Sequence, residues 1–118
     1  MDCIFCKIAE KKKNSEIVYE DDNFVAFKDI SPKAPVHILI IPKEHIESVN
    51  HLKEKHKQLI GDLILTAQKI AEQVGIKDKG YKLAFNVGVG GGQIIDHLHL
   101  HLLGGWQTEE KMHTQKTP

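Results

Sequence analysis

His97-Leu98-His99-Leu100-His101, followed by Leu102-Leu103, alternates imidazole with leucine. Two is the period of a β-strand. The three histidines therefore project from one face, and Leu98, Leu100 and Leu102 from the other. The leucine face fits a core; packing alone does not ask for the histidine face. A half-exposed strand with histidine by accident is the bland alternative, and a purification tag is contiguous and terminal, which this run is not. One metal ion fits all three poorly, because positions i and i+4 of a strand lie about 13 Å apart and a His–metal bond is about 2 Å. Nucleophilic chemistry fits better. A neutral imidazole attacks an electrophile while a second donates a proton. Clustered imidazoles also resist being charged together, which keeps at least one neutral near pH 7.

Just upstream, Gly88-Val89-Gly90-Gly91-Gly92-Gln93 lets backbone come close to a ligand and turn N–H groups toward an anion. No Gly-Lys-Ser/Thr follows, so it is not a P-loop. A strand follows instead of a helix, so it is not a dinucleotide fingerprint. Alone it reads as a hairpin loop; beside three histidines it reads as a phosphate site.

Gly91-Gly92-Gln93-Ile94-Ile95-Asp96-His97-Leu98-His99-Leu100-His101-Leu102-Leu103-Gly104-Gly105 resembles the signature of the histidine-triad family. Phe24 to His37 and Ile40 to Ile46 resemble that family's nucleotide-binding half, so the likeness covers roughly residues 2 to 105. Leu103-Gly104-Gly105 is similar to the Hint branch, the purine nucleoside phosphoramidases, whereas the dinucleoside polyphosphate hydrolases usually carry Pro-Arg there. The resemblance implies an α+β, HIT-like fold and hydrolysis of nucleoside phosphoramidates through a nucleotidyl-histidine intermediate. It also implies a homodimer. A dinucleoside polyphosphate hydrolase and a nucleotide-binding regulatory protein stay open as alternatives.

The resemblance assigns His99 as nucleophile and His101 to the phosphate or leaving group, with His97 orienting the strand. His37 is expected beside the triad, orienting a neighbouring imidazole or shaping the phosphate site. Asp29 is otherwise a strand-end turn residue; in the family the matching carboxylate takes ribose hydroxyls, with Phe27 and Ile30 flanking the base. Asn86 and main-chain N–H groups near Gly92, Gln93 and Ile94 are expected on the phosphoryl oxygens. Many Hint-like proteins carry Ser where this chain has Ile94.

Cys3-Ile4-Phe5-Cys6 is half a zinc site at best by itself. No thioredoxin-like βαβ pattern surrounds it, and two buried thiols are the plain reading. Some histidine-triad proteins with this pair are zinc proteins, and their ligands are similar to Cys3, Cys6, His45 and His97. The resemblance thus implies a structural zinc. His51 and His56 belong to no constellation and are expected to be exposed; His113 belongs to none either.

The chain has 118 residues, with 16 basic and 16 acidic side chains and a formal net charge of zero. That is one domain, residues 1–105, plus a tail, 106–118, expected to be loosely ordered. Nothing marks a nucleic-acid or membrane partner. Two cysteines and no leader pattern at Met1-Asp2-Cys3 point to a reducing cytoplasm. The pattern predicts a short helix over 3–10 and strands over 17–19, 23–28, 36–41, 82–87 and 96–103, with Pro42 ending the third. One amphipathic helix is predicted from Leu52 to Val74, closed by Gly75. The result is a mainly antiparallel five-stranded sheet with one long helix and a short N-terminal one.

Overall fold

The computed structural model describes residues 3–114 and 118. The elements run α1 (Ile4–Ala9), β1 (Ile17–Glu20), β2 (Phe24–Lys28), β3 (Val36–Pro42), α2 (Lys57–Gln73), β4 (Tyr81–Ala84), β5 (Leu100–Gly104) and α3 (Glu109–Thr114). The five strands form one antiparallel sheet in the order β1-β2-β3-β5-β4. Among the described residues no helix is long and apolar enough to cross a membrane.

Strand alternation gives the sheet two different faces. Phe24, Ala26, Ile38, Ile40, Leu100 and Leu102 pack with Leu63, Ala67, Ile70 and Ala71 of α2. Val25, Phe27, Leu39 and Ile41 point the other way and pack with Cys3, Phe5 and Ile8 of the N-terminal helix. His37 and His101 share the parity of this second face. Leu39 pairs with His101 and His37 with Leu103, so the two histidines are diagonal neighbours on adjacent strands.

Four element boundaries depart from the sequence expectation. The β5 ladder begins at Leu100, not Asp96, because the chain bends over residues 95–97. Upstream of the ladder, the Leu98 N–H bonds to the Ile46 carbonyl and the His97 carbonyl is taken by the His99 ring. β4 stops at Ala84, and the next residues turn into the glycine loop, where the Asn86 amide donates to the Gly91 carbonyl at 2.8 Å. Pro42 does not end β3 early but is its last residue, opposite Phe24. α2 starts at Lys57, since Leu52 (ψ 145) and Lys53 (ψ 171) are extended and the two short turns Val49–His51 and Glu54–His56 precede it.

The C-terminal end of α2 follows expectation. Gly75 adopts φ 79, its N–H bonds to the Glu72 carbonyl and the Ile76 N–H to the Ala71 carbonyl, which satisfies the last carbonyls of the helix. The expected loose tail contains α3 instead. Its first turn is capped at Thr108, whose hydroxyl accepts from the Lys111 N–H at 3.1 Å. His51 is exposed as expected, but His56 is buried: its Nδ1 accepts from the Lys53 N–H and its Nε2 meets Glu44 at 3.0 Å. Those two bonds place it against the start of α2.

Candidate active site and metal cluster

Hydrogen bonds to main-chain groups fix the proton on each imidazole of the histidine face. A carbonyl only accepts, so His99, with Nδ1 2.7 Å from the His97 carbonyl, carries its proton on Nδ1 and leaves a lone pair on Nε2. An N–H only donates, so His37, whose Nδ1 takes the Lys33 N–H at 3.0 Å, carries its proton on Nε2. That proton is donated to His101 Nδ1, 2.9 Å away, so His101 carries its own on Nε2. His99 and His101 are ring neighbours at 5.1 Å between centroids. One thus offers a nucleophilic nitrogen and the other an N–H donor.

Burial keeps all of these rings neutral. His97, His99 and His101 are at most 8% exposed and His37 4%. Desolvation lowers the pKa of His99 and His37 below the ordinary imidazole value, and takes His97 and His101 down to about 4. Asp29, 3.5 Å from His37 Nε2, pulls His37, His99 and His101 the other way without reversing the shift. Its second oxygen accepts the Ser31 N–H at 2.8 Å, which fixes the carboxylate at the end of β2.

His97 faces elsewhere. Its Nε2 donates to the Pro42 carbonyl at 2.8 Å, leaving a lone pair on Nδ1. That nitrogen lies 3.4 Å from Cys3 Sγ, 3.5 Å from Cys6 Sγ and 3.2 Å from His45 Nδ1, and Cys6 Sγ is 3.3 Å from His45 Nδ1. A tetrahedral ion with bonds of about 2.0–2.3 Å has ligand–ligand edges of about 3.3–3.8 Å. Four of the six edges are thus close to that length, and all four donor atoms lie within 4.8 Å of one another. Burial and the neighbouring Cys3 push the Cys6 thiol up to about 11, so a cation there must displace protons.

A family model described as "Scavenger mRNA decapping enzyme C-term binding" matches residues 2–117. A purine nucleoside phosphoramidase from Escherichia coli (strain K12) is 52% identical over 102 residues, 86% of this chain and 86% of that protein. The crystal structure of a HIT family hydrolase from Legionella pneumophila Philadelphia 1 superposes with a TM-score of 0.88 at 47% identity, covering 90% of this chain and 95% of the other. The chain belongs to the histidine-triad family. A Zn-bound histidine-triad protein from Mycobacterium smegmatis is similar at a TM-score of 0.79 and 25% identity, covering 100% of this chain and 84% of the other.

In this histidine-triad protein the fold brings together His37, His99, His101 and Asp29, and separately Cys3, Cys6, His45 and His97. Asp29, His37 and His101 also have ligand atoms within 4.8 Å of one another. They make a poor cation site, because His37 Nδ1 is committed to the Lys33 N–H and Nε2 could bind an ion only by losing the ring's proton. Phe27 is buried at 3% exposure, whereas Ile30 (95%) and Ile94 (88%) stand open to solvent.

The glycine loop differs in detail from the sequence expectation. The N–H groups of Gly92 and Gln93 close turns onto the Val89 and Gly88 carbonyls. The Gln93 side chain is buried and spans the loop, accepting from the Gly88 N–H and donating to the Glu47 and Ile95 carbonyls. Gln93 therefore builds the loop. Sequence reading missed the Lys33 N–H and the Pro42 carbonyl, which set two of the tautomers. Every residue carries a carbonyl and every residue but proline an N–H, so no side-chain signal could have pointed to them.

Proposed function

We propose that this protein is a hydrolase that cleaves the P–N bond of purine nucleoside phosphoramidates, of the adenosine 5′-monophosphoramidate type. The carrying observation is the complementary pair of tautomers: an Nε2 lone pair on His99 and an Nε2–H on His101 at the same site. His99 Nε2 attacks the α-phosphorus and forms a nucleotidyl–imidazole bond as the P–N bond breaks. The His101 Nε2–H donates a hydrogen bond to the leaving nitrogen, steadied by the His37 N–H on its Nδ1, while the proton that the departing amine needs enters from solvent and is returned to solvent when water attacks in the next step. Water then attacks the phosphorus, the bond to His99 breaks, and nucleoside monophosphate leaves. The relative named a purine nucleoside phosphoramidase supports this substrate class.

Binding follows from the same face. Ile30 offers an open apolar side chain to a purine, and the fixed Asp29 carboxylate is an acceptor for ribose hydroxyls. The N–H of Ile94 follows the loop's own turn bonds, and Asn86 has a second amide hydrogen beyond the one on Gly91; both suit phosphoryl oxygens.

The Cys3, Cys6, His45 and His97 cluster holds a structural zinc in this reading. Four protein donors leave no open position, so zinc supplies cross-linking of the N-terminal helix to the triad segment rather than chemistry. Free thiols at such a site suit a reducing cytoplasm. The protein partner is a second copy of the chain. β4 is an outer strand with Leu83 exposed, and Leu65 (61%) and Ile64 (40%) leave apolar surface on α2.

The deciding experiment compares turnover of adenosine 5′-monophosphoramidate with that of diadenosine polyphosphates, with acid quenching to trap a nucleotidyl-protein. Preferential phosphoramidate cleavage with the label on His99 is expected. Preference for the polyphosphates, or label elsewhere, would overturn the reading.

A further inference from the structure

The nucleophile assigned above has one hydrogen bond to hold its ring, from Nδ1 to the His97 carbonyl at 2.7 Å. One bond fixes an atom but not a plane. Rotation about the Cβ–ring bond would carry Nε2 away from the substrate and break the bond that selects the Nδ1–H tautomer. Two rings touch the His99 imidazole: His101 at 5.1 Å and Phe5 at 5.2 Å between centroids. The Phe5 contact is nearly perpendicular, at 87°, the edge-to-face arrangement that a polarised ring favours.

Phe5 is itself firmly held. It is 6% exposed and meets Phe27 at 5.3 Å and His97 at 6.0 Å, both edge to face. It sits between Cys3 and Cys6, in the first turn of α1, where the Cys6 N–H bonds to Cys3 Sγ at 3.3 Å. Cys3, two residues before it, and Cys6, one after, thus belong to the metal cluster, and its own ring leans on the triad.

We propose that Phe5 is a positioning residue for the nucleophile: its ring keeps the His99 imidazole in the plane in which Nδ1 donates to His97 and Nε2 faces the phosphorus. This rests on the reading of His99 as nucleophile. The cysteine loop then has a second task beyond metal binding, because it carries the ring that sets the attacking nitrogen. Leucine at this place fills much of the volume but has no flat face, so the imidazole gains freedom to turn.

The test is ¹⁵N NMR of the histidine side chains in zinc-loaded wild type, Phe5→Leu and Phe5→Tyr, at a pH where the rings are neutral. It is paired with the single-turnover rate of nucleotidyl-enzyme formation and the Kd for nucleoside monophosphate. Wild type should show His99 as the Nδ1–H tautomer. Phe5→Leu should show a mixture of tautomers and a rate lower by about 10- to 100-fold, the usual loss when a reacting atom is misplaced. The Kd should change less than about two-fold, and Phe5→Tyr, which keeps the ring, should keep the wild-type tautomer. If the leucine variant does not fold, Phe5→Met carries the same measurement. An unchanged tautomer in a folded ringless variant overturns the proposal, whatever the rate does. If wild type forms no nucleotidyl-His99, the nucleophile reading fails. The NMR comparison, which needs no substrate, still decides whether Phe5 holds the ring.

Discussion

Two successive histidines of one alternating run, His99 and His101, differ by the nitrogen that carries the proton. The cause is the partner each finds: a carbonyl for His99, the His37 N–H for His101. His99→Ala should lose nearly all turnover yet bind nucleoside monophosphate normally, since the imidazole that forms the covalent bond is gone. Near-wild-type turnover of this variant would refute the nucleophile assignment. Ile94 gives a finer case. It is 88% exposed beside the phosphate loop and has no side-chain donor, so departure of a poor leaving group goes without help from this position. Ile94→Ser should raise turnover of phosphoramidates with poor leaving groups more than of those with good ones, by about 5- to 150-fold for a hydrogen bond worth about 1–3 kcal/mol. Equal effects on the two substrate classes would show that Ile94 only shapes the pocket.

At the level of elements, the N-terminal helix is short, and Cys3 is its cap. Six residues are too few for a helix to hold by propensity. Packing of Phe5 and Ile8 on the sheet and the cluster with His45 and His97 hold it instead. Metal analysis of protein prepared without chelator should find about one zinc per chain. Cys3→Ser should lower both the metal content and the melting temperature, and chelation should lower the melting temperature of wild type but not of the variant. Metal-free protein with full stability would show that the thiols are simply buried. The expected long helix was legible over Lys57–Gln73, where the apolar spacing is continuous, but not at its start. Leu52 keeps the helical spacing, yet Lys53 is extended and His56 turns inward onto Glu44, an interaction with a distant loop that no local pattern records.

The whole molecule buries His37, His97, His99 and His101 in and beside its sheet, and that choice has a pH signature. His101 takes up a proton near pH 6.5 when unfolded but only near 4 when folded. Between those values the unfolded chain binds more protons, so stability falls as pH falls from about 6.5 to about 4 and levels off below. His101 alone contributes about 3 kcal/mol of this loss. Denaturant titrations in steps from pH 7.5 to 4 should show it, and His101→Asn should flatten the slope; an unchanged slope would mean that His101 titrates normally. The apolar side chains left exposed on α2 give a second expectation. Leu65→Glu should shift the sedimentation mass from two chains to one, whereas a wild-type chain that sediments as a monomer would remove the dimer from the proposal.

Alternation and period determined much in advance: which residues of 24–28, 36–42 and 100–104 face α2, that His37 and His101 share the other face, and that the fold is a sheet with one long helix. These are local properties, because a strand's side-chain parity depends only on its own residues. Tertiary structure decided the rest. The bend before Leu100 divides the histidine run, sending His97 to the cysteines and leaving His99 and His101 with His37. The protonated nitrogen of each ring follows from the Pro42 carbonyl, the His97 carbonyl and the Lys33 N–H. Nearly every residue carries the same main-chain groups, so only the folded chain selects which of them meets which ring.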